Sequence, residues 1–351
     1  MKDMPIAPLD SRKQSILKAV VTDYVETAEP VGSHTLAERY HFGVRSATIR
    51  NELSELAEMG YLRQPHTSAG RIPSDMGYRF FVDRLMDQVA ISRAEALVAR
   101  KKMSPYRTEM DFILEQTCRI LSGLARYTSV ATQPTVKEAV VKHISISSVG
   151  GRKLLTVLVL DNGAVIHELI DSDAKSGRID PVMASNFLTA RLAGRTLASL
   201  DSADQEPVPD EVRDMAPLLA KLLQLVKREL RSAEEGDIHL QGASYIMQQP
   251  EFRDISRLEA VLSVLEQRKA LYRLFSSVYL GPEVTVIIGA ENPVDEMHDC
   301  SFVGTKYRVG DRVAGTIGVV GPTRMDYRRA VAAVEFMARN LEQLLTELRV
   351  A

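Results

Sequence analysis

The run from Ser46 to Pro73 constrains this chain more than any other. Ile49, Leu53 and Leu56 recur at i, i+4 and i+7, which puts three apolar side chains on one face of a helix. Gly60 stops that helix. Tyr61–Pro65 and Gly70–Pro73 then read as the arms of a short hairpin around a polar tip. Upstream, residues 10–27 predict a first helix, with Ser11 and Gln14 as a capping box and Ile16, Leu17, Val20, Val21 and Tyr24 at helical spacing. Glu29-Pro30-Val31-Gly32 breaks the pattern. Ser33 is expected to cap a short second helix, and Ser46 the third, after a turn through His41-Phe42-Gly43-Val44. Three helices, a tight glycine turn between the second and third, and a hairpin predict a winged helix-turn-helix.

Opposite its apolar stripe the third helix carries Ala47, Thr48, Asn51 and Ser54, with Arg50 on the flank and Arg45 and Ser46 at the amino end. A recognition helix presents its first turns to base edges, where small, hydroxyl, amide and guanidinium groups belong. Glu52, Glu55 and Glu58 come later, where a helix would leave the groove or be turned from it. A solvated face of a protein-interaction winged helix is the competing reading. The hairpin weighs against it, because Met59–Ser74 holds no acidic residue while Arg63, His66 and Arg71 are present. The small tip, Thr67-Ser68-Ala69-Gly70, suits close approach to phosphates with backbone N–H donors, and Arg71 or His66 is expected to enter the adjacent minor groove.

Charge sharpens this reading. The 351 residues carry a formal net charge of −2, and residues 1–75 alone hold nine basic and ten acidic groups. That excludes a general nucleic-acid coat and fits a selective binder whose positive groups gather at the helix start, the wing and residues 76–107. Two distant cysteines, Cys118 and Cys300, argue against a disulfide scaffold and fit a reducing cytosol. Met1–Gln14 lacks a secretory apolar core, and no run of 18 apolar residues occurs, so a cytoplasmic protein with no membrane partner is expected.

The remaining chain predicts an α+β domain in two pieces. Helices are expected over 106–127, 254–279 and 324–349. Strands are expected over 136–149, 153–160, 164–170, 284–290, 301–308 and 312–320, with Gly150-Gly151 and Asp161-Asn162-Gly163 as turns. Residues 172–240, with helices over 180–194 and 210–234 and an acidic, proline-broken linker between them, read as an insertion. The expected division is 1–75 DNA-binding, 76–104 a helical connector, 105–171 and 241–351 the split domain, and 172–240 inserted. No phosphate-loop or paired-histidine zinc motif occurs. Gly315, Gly318 and Gly321 do not form a dinucleotide fingerprint, and Asp295, Glu296, His298, Asp299 and Cys300 read as a surface loop rather than a metal site. No enzyme, cofactor or metal is expected.

Two long motifs carry a resemblance. Thr48-Ile49-Arg50-Asn51-Glu52-Leu53 continues through Gly60-Tyr61-Leu62 to Gln64-Pro65-His66-Thr67-Ser68-Ala69-Gly70-Arg71-Ile72-Pro73 and Gly77-Tyr78-Arg79. Ile317-Gly318-Val319-Val320-Gly321-Pro322-Thr323-Arg324-Met325-Asp326-Tyr327 follows near the end. In both the chain resembles the HrcA family of bacterial heat-inducible transcription repressors. The resemblance implies a winged helix, a GAF-like domain and an inserted dimerisation domain. It implies a homodimer that represses chaperone operons by binding double-stranded DNA at an inverted repeat called CIRCE, and that needs the GroE chaperonin to stay active. The alternative is a winged-helix repressor that senses a small effector through the GAF-like domain, since fold alone does not fix function.

Overall fold

The computed structural model describes residues 9–66, 69–103, 110–132, 139–150, 153–161, 165–171, 180–200, 216–234, 238–267, 271–272, 275, 283–310 and 312–350, a mixed α+β arrangement. The chain begins with α1 (Ser11–Thr27), α2 (Ser33–Arg39) and α3 (Ser46–Glu58). Ile16, Leu17, Val20 and Val21 of α1 close on Leu36 of α2 and on Ile49, Leu53 and Leu56 of α3, all buried. Each such side chain contributes about 1.5–3 kcal/mol on leaving water.

The helix starts differ from the three serine caps expected. Asp10, not Ser11, caps α1, its Oδ1 accepting from the Lys13 N–H at 2.8 Å, while the Gln14 amide donates to the Leu9 carbonyl at 2.7 Å. Ser33 and Ser46 lie one residue inside their helices, after Gly32 and Arg45. Their hydroxyls hydrogen-bond each other at 3.2 Å, so each satisfies the other instead of a helix end. Gly60 ends α3 at φ +84°, a backbone state that a side chain would strain. Two short strands follow, β1 (Leu62–Arg63) and β2 (Ile72–Pro73), paired antiparallel with Leu62 opposite Pro73.

The connector is not one helical piece. α4 (Asp75–Phe80) runs into a π turn at Phe81–Leu85, residues 86–92 are not helical, and α5 (Arg93–Met103) starts afresh. The restart is a capping box. Ser92 Oγ accepts from the Glu95 N–H at 3.3 Å, and Glu95 Oε2 accepts from the Ser92 N–H at 3.2 Å. Asp87 in the non-helical run pairs with Lys18 of α1 at 2.7 Å.

α6 (Met110–Ala125) leads into β3 (Thr128–Thr132), which joins β7 (Ile238–Gln241), β8 (Thr285–Ile288), β9 (Cys300–Val309) and β10 (Arg312–Pro322) in an antiparallel sheet of order β7-β3-β10-β9-β8. One face packs on α6 and on α12 (Tyr327–Val350) through residues such as Ile317, Val319, Val334 and Met337. The other holds Phe302, Phe275, Phe252 and Val261, covered by α10 (Ser244–Met247) and α11 (Ile255–Glu266). Phe302 lies over Gly304 and Gly318 and against Phe275, with ring centres 4.5 Å apart.

β4 (Val141–Gly150), β5 (Lys153–Leu160) and β6 (Val165–Asp171) do not join that sheet. They pair only with one another, in the order β4-β5-β6. Their inward residues, Ile144, Ile146, Leu154, Leu158, Ile166 and Ile170, share a separate core with α7 (Pro181–Leu192), α8 (Leu197–Leu200) and α9 (Ala216–Glu234). Ser185 and Thr189, one turn apart on α7, accept the Ile146 and Ile144 N–H groups at 2.8 and 3.1 Å and so occupy the free edge of β4. Residues 139–171 therefore go with the segment expected to be the insertion, not with the later strands. Alternation along each strand gives an apolar face but does not name the partner that covers it. The tight turns expected at Gly151 and at Asn162-Gly163 lie outside the described residues.

The first three helices and the five-stranded sheet share one contiguous buried cluster running from α1 to α12. Tyr78 of α4 meets Tyr327 of α12 with ring centres 5.8 Å apart. Arg79 pairs with Glu291, donating Nε to Oε1 at 2.8 Å, and also donates to the Val286 carbonyl at 2.6 Å. Asp75 accepts from the Ala290 N–H at 3.0 Å. Arg324 donates to the Val25 carbonyl at the end of α1 at 2.6 Å while holding Glu251 at 2.5 Å.

Candidate nucleic-acid interface

The outer side of α3 and the hairpin beside it form one surface. Arg45 precedes α3 and is exposed, as are Ala47, Arg50 and Asn51, while Ser46, Thr48 and Ser54 are half-buried. Arg63 and His66 are exposed on the hairpin. The tip is drawn in by the Ala69 N–H, which donates to the His66 carbonyl at 2.9 Å, and by Gln64 Nε2, which donates to the Ala69 carbonyl at 3.0 Å. Ser68, with Thr67, lies outside the described residues. Arg71 is half-buried at the root of the hairpin, where it and Val31 exchange two backbone hydrogen bonds of 2.8 and 2.9 Å. A Cβ at Gly70 would collide with the Val31 carbonyl, so only glycine lets this strand lie against the segment between α1 and α2.

Charge is sorted across α3. Glu52 and Glu55 lean back toward α1, where Lys13 Nζ meets a carboxylate oxygen of each at 2.9 Å and Asp10 at 3.2 Å. Arg12 reaches Glu52 at 3.6 Å. Hydrogen bonds donated to these carboxylates, Glu52 foremost, push the Lys13 ammonium above its ordinary value, so it stays charged. Arg39 is taken by Asp23 at 3.2 Å, and Tyr40 donates to the same carboxylate at 2.7 Å. Burial and then that bond push the Tyr40 phenol up to about 12. Among the described residues no ion pair engages Arg45, Arg50, Arg63 or Arg71. Glu52 and Glu55 are therefore paired with Lys13, while Arg45, Arg50, Arg63 and Arg71 carry no ion pair among the described residues.

Arg45, Ser46, Thr48, Arg50 and Asn51 follow one another at the start of α3, Arg50 shares a cleft with Gln64 and Arg71 of the hairpin, and Arg63 and His66 are exposed on that hairpin. The structure separates Arg71 from His66, placing one at the hairpin root and the other near its tip. Of the two expectations for Glu52 and Glu55, a helix that has left the groove or one turned from it, the pairing with Lys13 fits the second, and the partner itself is what the sequence hides. Lys13 lies on another helix, at no spacing that a sequence periodicity reveals.

Elsewhere the titratable groups are structural. Cys118 and Cys300 are free thiols, buried, and burial pushes each up to about 12, which keeps them inert. Asp299 pairs with Arg257 at 3.5 Å, and His298 lies 3.1 Å from the Asn292 carbonyl. No helix among the described residues is long and apolar enough to cross a membrane.

Residues 111–331 match the family described as HrcA protein C terminal domain. The protein named heat-inducible transcription repressor HrcA of Desulforamulus reducens is 39% identical over 340 residues, covering 97% of this chain and 98% of that one. Those of Pelotomaculum thermopropionicum and Symbiobacterium thermophilum are each 38% identical, over 97% and 96% of this chain and 98% of theirs. A crystal structure described as that of a hypothetical protein superposes with a TM-score of 0.61 at 21% identity, covering 97% of this chain and 98% of its own. That likeness bears on the fold alone.

Proposed function

The chain belongs to the HrcA family of heat-inducible transcription repressors, negative regulators of heat-shock genes, and from that premise we propose how it does this work. It binds the CIRCE inverted repeat ahead of chaperone operons, as a homodimer, through a winged helix-turn-helix formed by α1–α3 and β1–β2. α3 reads base edges with Arg50, Asn51 and Thr48, and Arg45, Ser46, Arg63, His66 and Ser68 hold the backbone. The observation that supports this most is the sorting of charge across α3, with Glu52 and Glu55 held by Lys13 and the outer arginines uncommitted.

The body is a GAF-like domain in two parts, 110–132 and 238–350, and the inserted unit spans 139–226. Its separate core supports that division. Its sheet turns Leu155, Val157 and Val159 outward beside exposed Val165 and Leu169, which suits a face shared by two copies. A two-fold dimer is what an inverted repeat requires, with half-sites about 34–36 Å apart per helical turn. The reading includes dependence on the GroE chaperonin and work in the bacterial cytoplasm, as the resemblance implies. The effector-sensing alternative is not favoured by the five-stranded sheet, where Phe302, Phe275 and Phe252 fill one face and Tyr307 is buried on the other.

Gel shift with the full-length protein tests the reading. A chaperone-operon inverted repeat should be shifted at concentrations that leave a scrambled duplex free. Equal shifts on both would refute it.

A further inference from the structure

We propose that the cleft between α3 and the root of the hairpin seats one DNA backbone phosphate, held by Arg71, with Arg50 of its lining left to the bases, so that Arg71 does not enter the minor groove. This rests on the DNA-binding reading above and names the part of the duplex that this corner takes. The cleft, about 410 Å³, is lined by Arg50 and Ser54 of α3, Gln64 and Arg71 of the hairpin, and Ser33 across from them. Among the described residues no carboxylate lines it. Two guanidinium groups share the space without an ion pair, and like charges brought together repel. An anion in the cleft offsets that repulsion.

Arg71 is positioned for it. Its backbone bonds to Val31 fix it at the hairpin root, and there it lines the cleft. Its Nε is buried and has no hydrogen-bond partner. A buried donor left unmet is costly and is tolerated where a ligand completes it. The planar guanidinium fork matches two oxygens of a phosphate. The cleft opens beside the exposed residues of α3, so a phosphodiester held there sets the register in which α3 meets the bases. Free inorganic phosphate has the same chemistry, and the experiment separates the two sources.

The full-length protein is titrated with the inverted-repeat duplex and a scrambled duplex over a chloride series, as wild type, Arg71→Ala and Arg71→Lys. Both variants keep the backbone bonds to Val31, and circular dichroism checks that they fold. Arg71→Ala should weaken both duplexes by the same factor and make the slope of log K against log salt shallower by about 0.9 per head, or about 1.8 per dimer. Arg71→Lys should keep the slope, because it keeps the charge, while losing part of the affinity. Loss of preference between duplexes with the slope intact would make Arg71 a base reader and overturn the proposal. Wild-type affinity and slope in Arg71→Ala would also overturn it. So would an inorganic-phosphate rise in melting midpoint that needs Arg71 while duplex binding does not. A wild type that fails to prefer the repeat would refute the operator reading instead, and the salt slopes on either duplex would still decide the seat.

Discussion

At Arg50 the account is most exposed to test. The residue sits on the wing side of α3, uncommitted to any ion pair among the described residues, beside exposed Asn51. Arg50→Ala should cost about 1–3 kcal/mol of binding to the inverted repeat and relax the preference over scrambled DNA, read by competition titration. Equal weakening on both duplexes would reassign Arg50 to the backbone. Gly70 gives a prediction of a different kind. Gly70→Ala forces the hairpin root away from the Val31 carbonyl, so it should lower the melting midpoint and weaken DNA binding together. Residue types at the start of α3 were legible from the sequence, because a helix wheel separates Ile49, Leu53 and Leu56 from the rest. The role of Lys13 was not, because pairing between α1 and α3 is a tertiary fact.

Elements were legible where periodicity and turn chemistry agree. α1, α3, β9, β10 and α12 stand near where spacing put them, since each carries an apolar stripe or alternation bounded by Gly, Pro or a polar break. The caps were less so, because a serine beside a helix start has other uses, as the Ser33–Ser46 pair shows. The connector hides a restart that Ser92 and Glu95 could have announced, since Ser-x-x-Glu is the spacing of a capping box. Glu95 also pairs with Arg329 of α12 at 2.6 Å. Its hydrogen bond from Ser92, and then that arginine, lower its carboxyl from 4.5 to about 2. A carboxylate depressed in the folded state adds stability that is present above its ordinary value and is lost as pH falls through the folded value. Wild type should therefore lose stability between pH 4.5 and about 2 more steeply than Glu95→Gln, measured by urea midpoints across that range. Identical pH profiles would remove Glu95 from the joint.

Across the whole molecule the cores decide what moves together. One buried cluster joins α1–α3 to α12, while the unit of β4–β6 and α7–α9 has its own. The interleaving was illegible in sequence, because β3 leaves its sheet-mates to return only at β7, and strand alternation does not encode which strands pair. Calorimetry should show two transitions. Leu188→Ala, at a buried site of the β4–β6 and α7–α9 unit, should lower only one, by about 2–5 kcal/mol, whereas Leu56→Ala should lower the other. Arg324→Ala cuts the link to Val25 and Glu251 and should raise amide exchange at the end of α1 without altering the β4–β6 and α7–α9 unit. All of this serves one claim, that the charge-sorted surface of α3 and the hairpin recognises an operator. Its most direct test is the ratio of equilibrium affinities of the full-length protein for a chaperone-operon inverted repeat and a scrambled duplex at one fixed salt concentration. The account predicts a ratio on the order of 10³ or more that falls sharply in Arg50→Ala. A ratio near one in the wild type would contradict it.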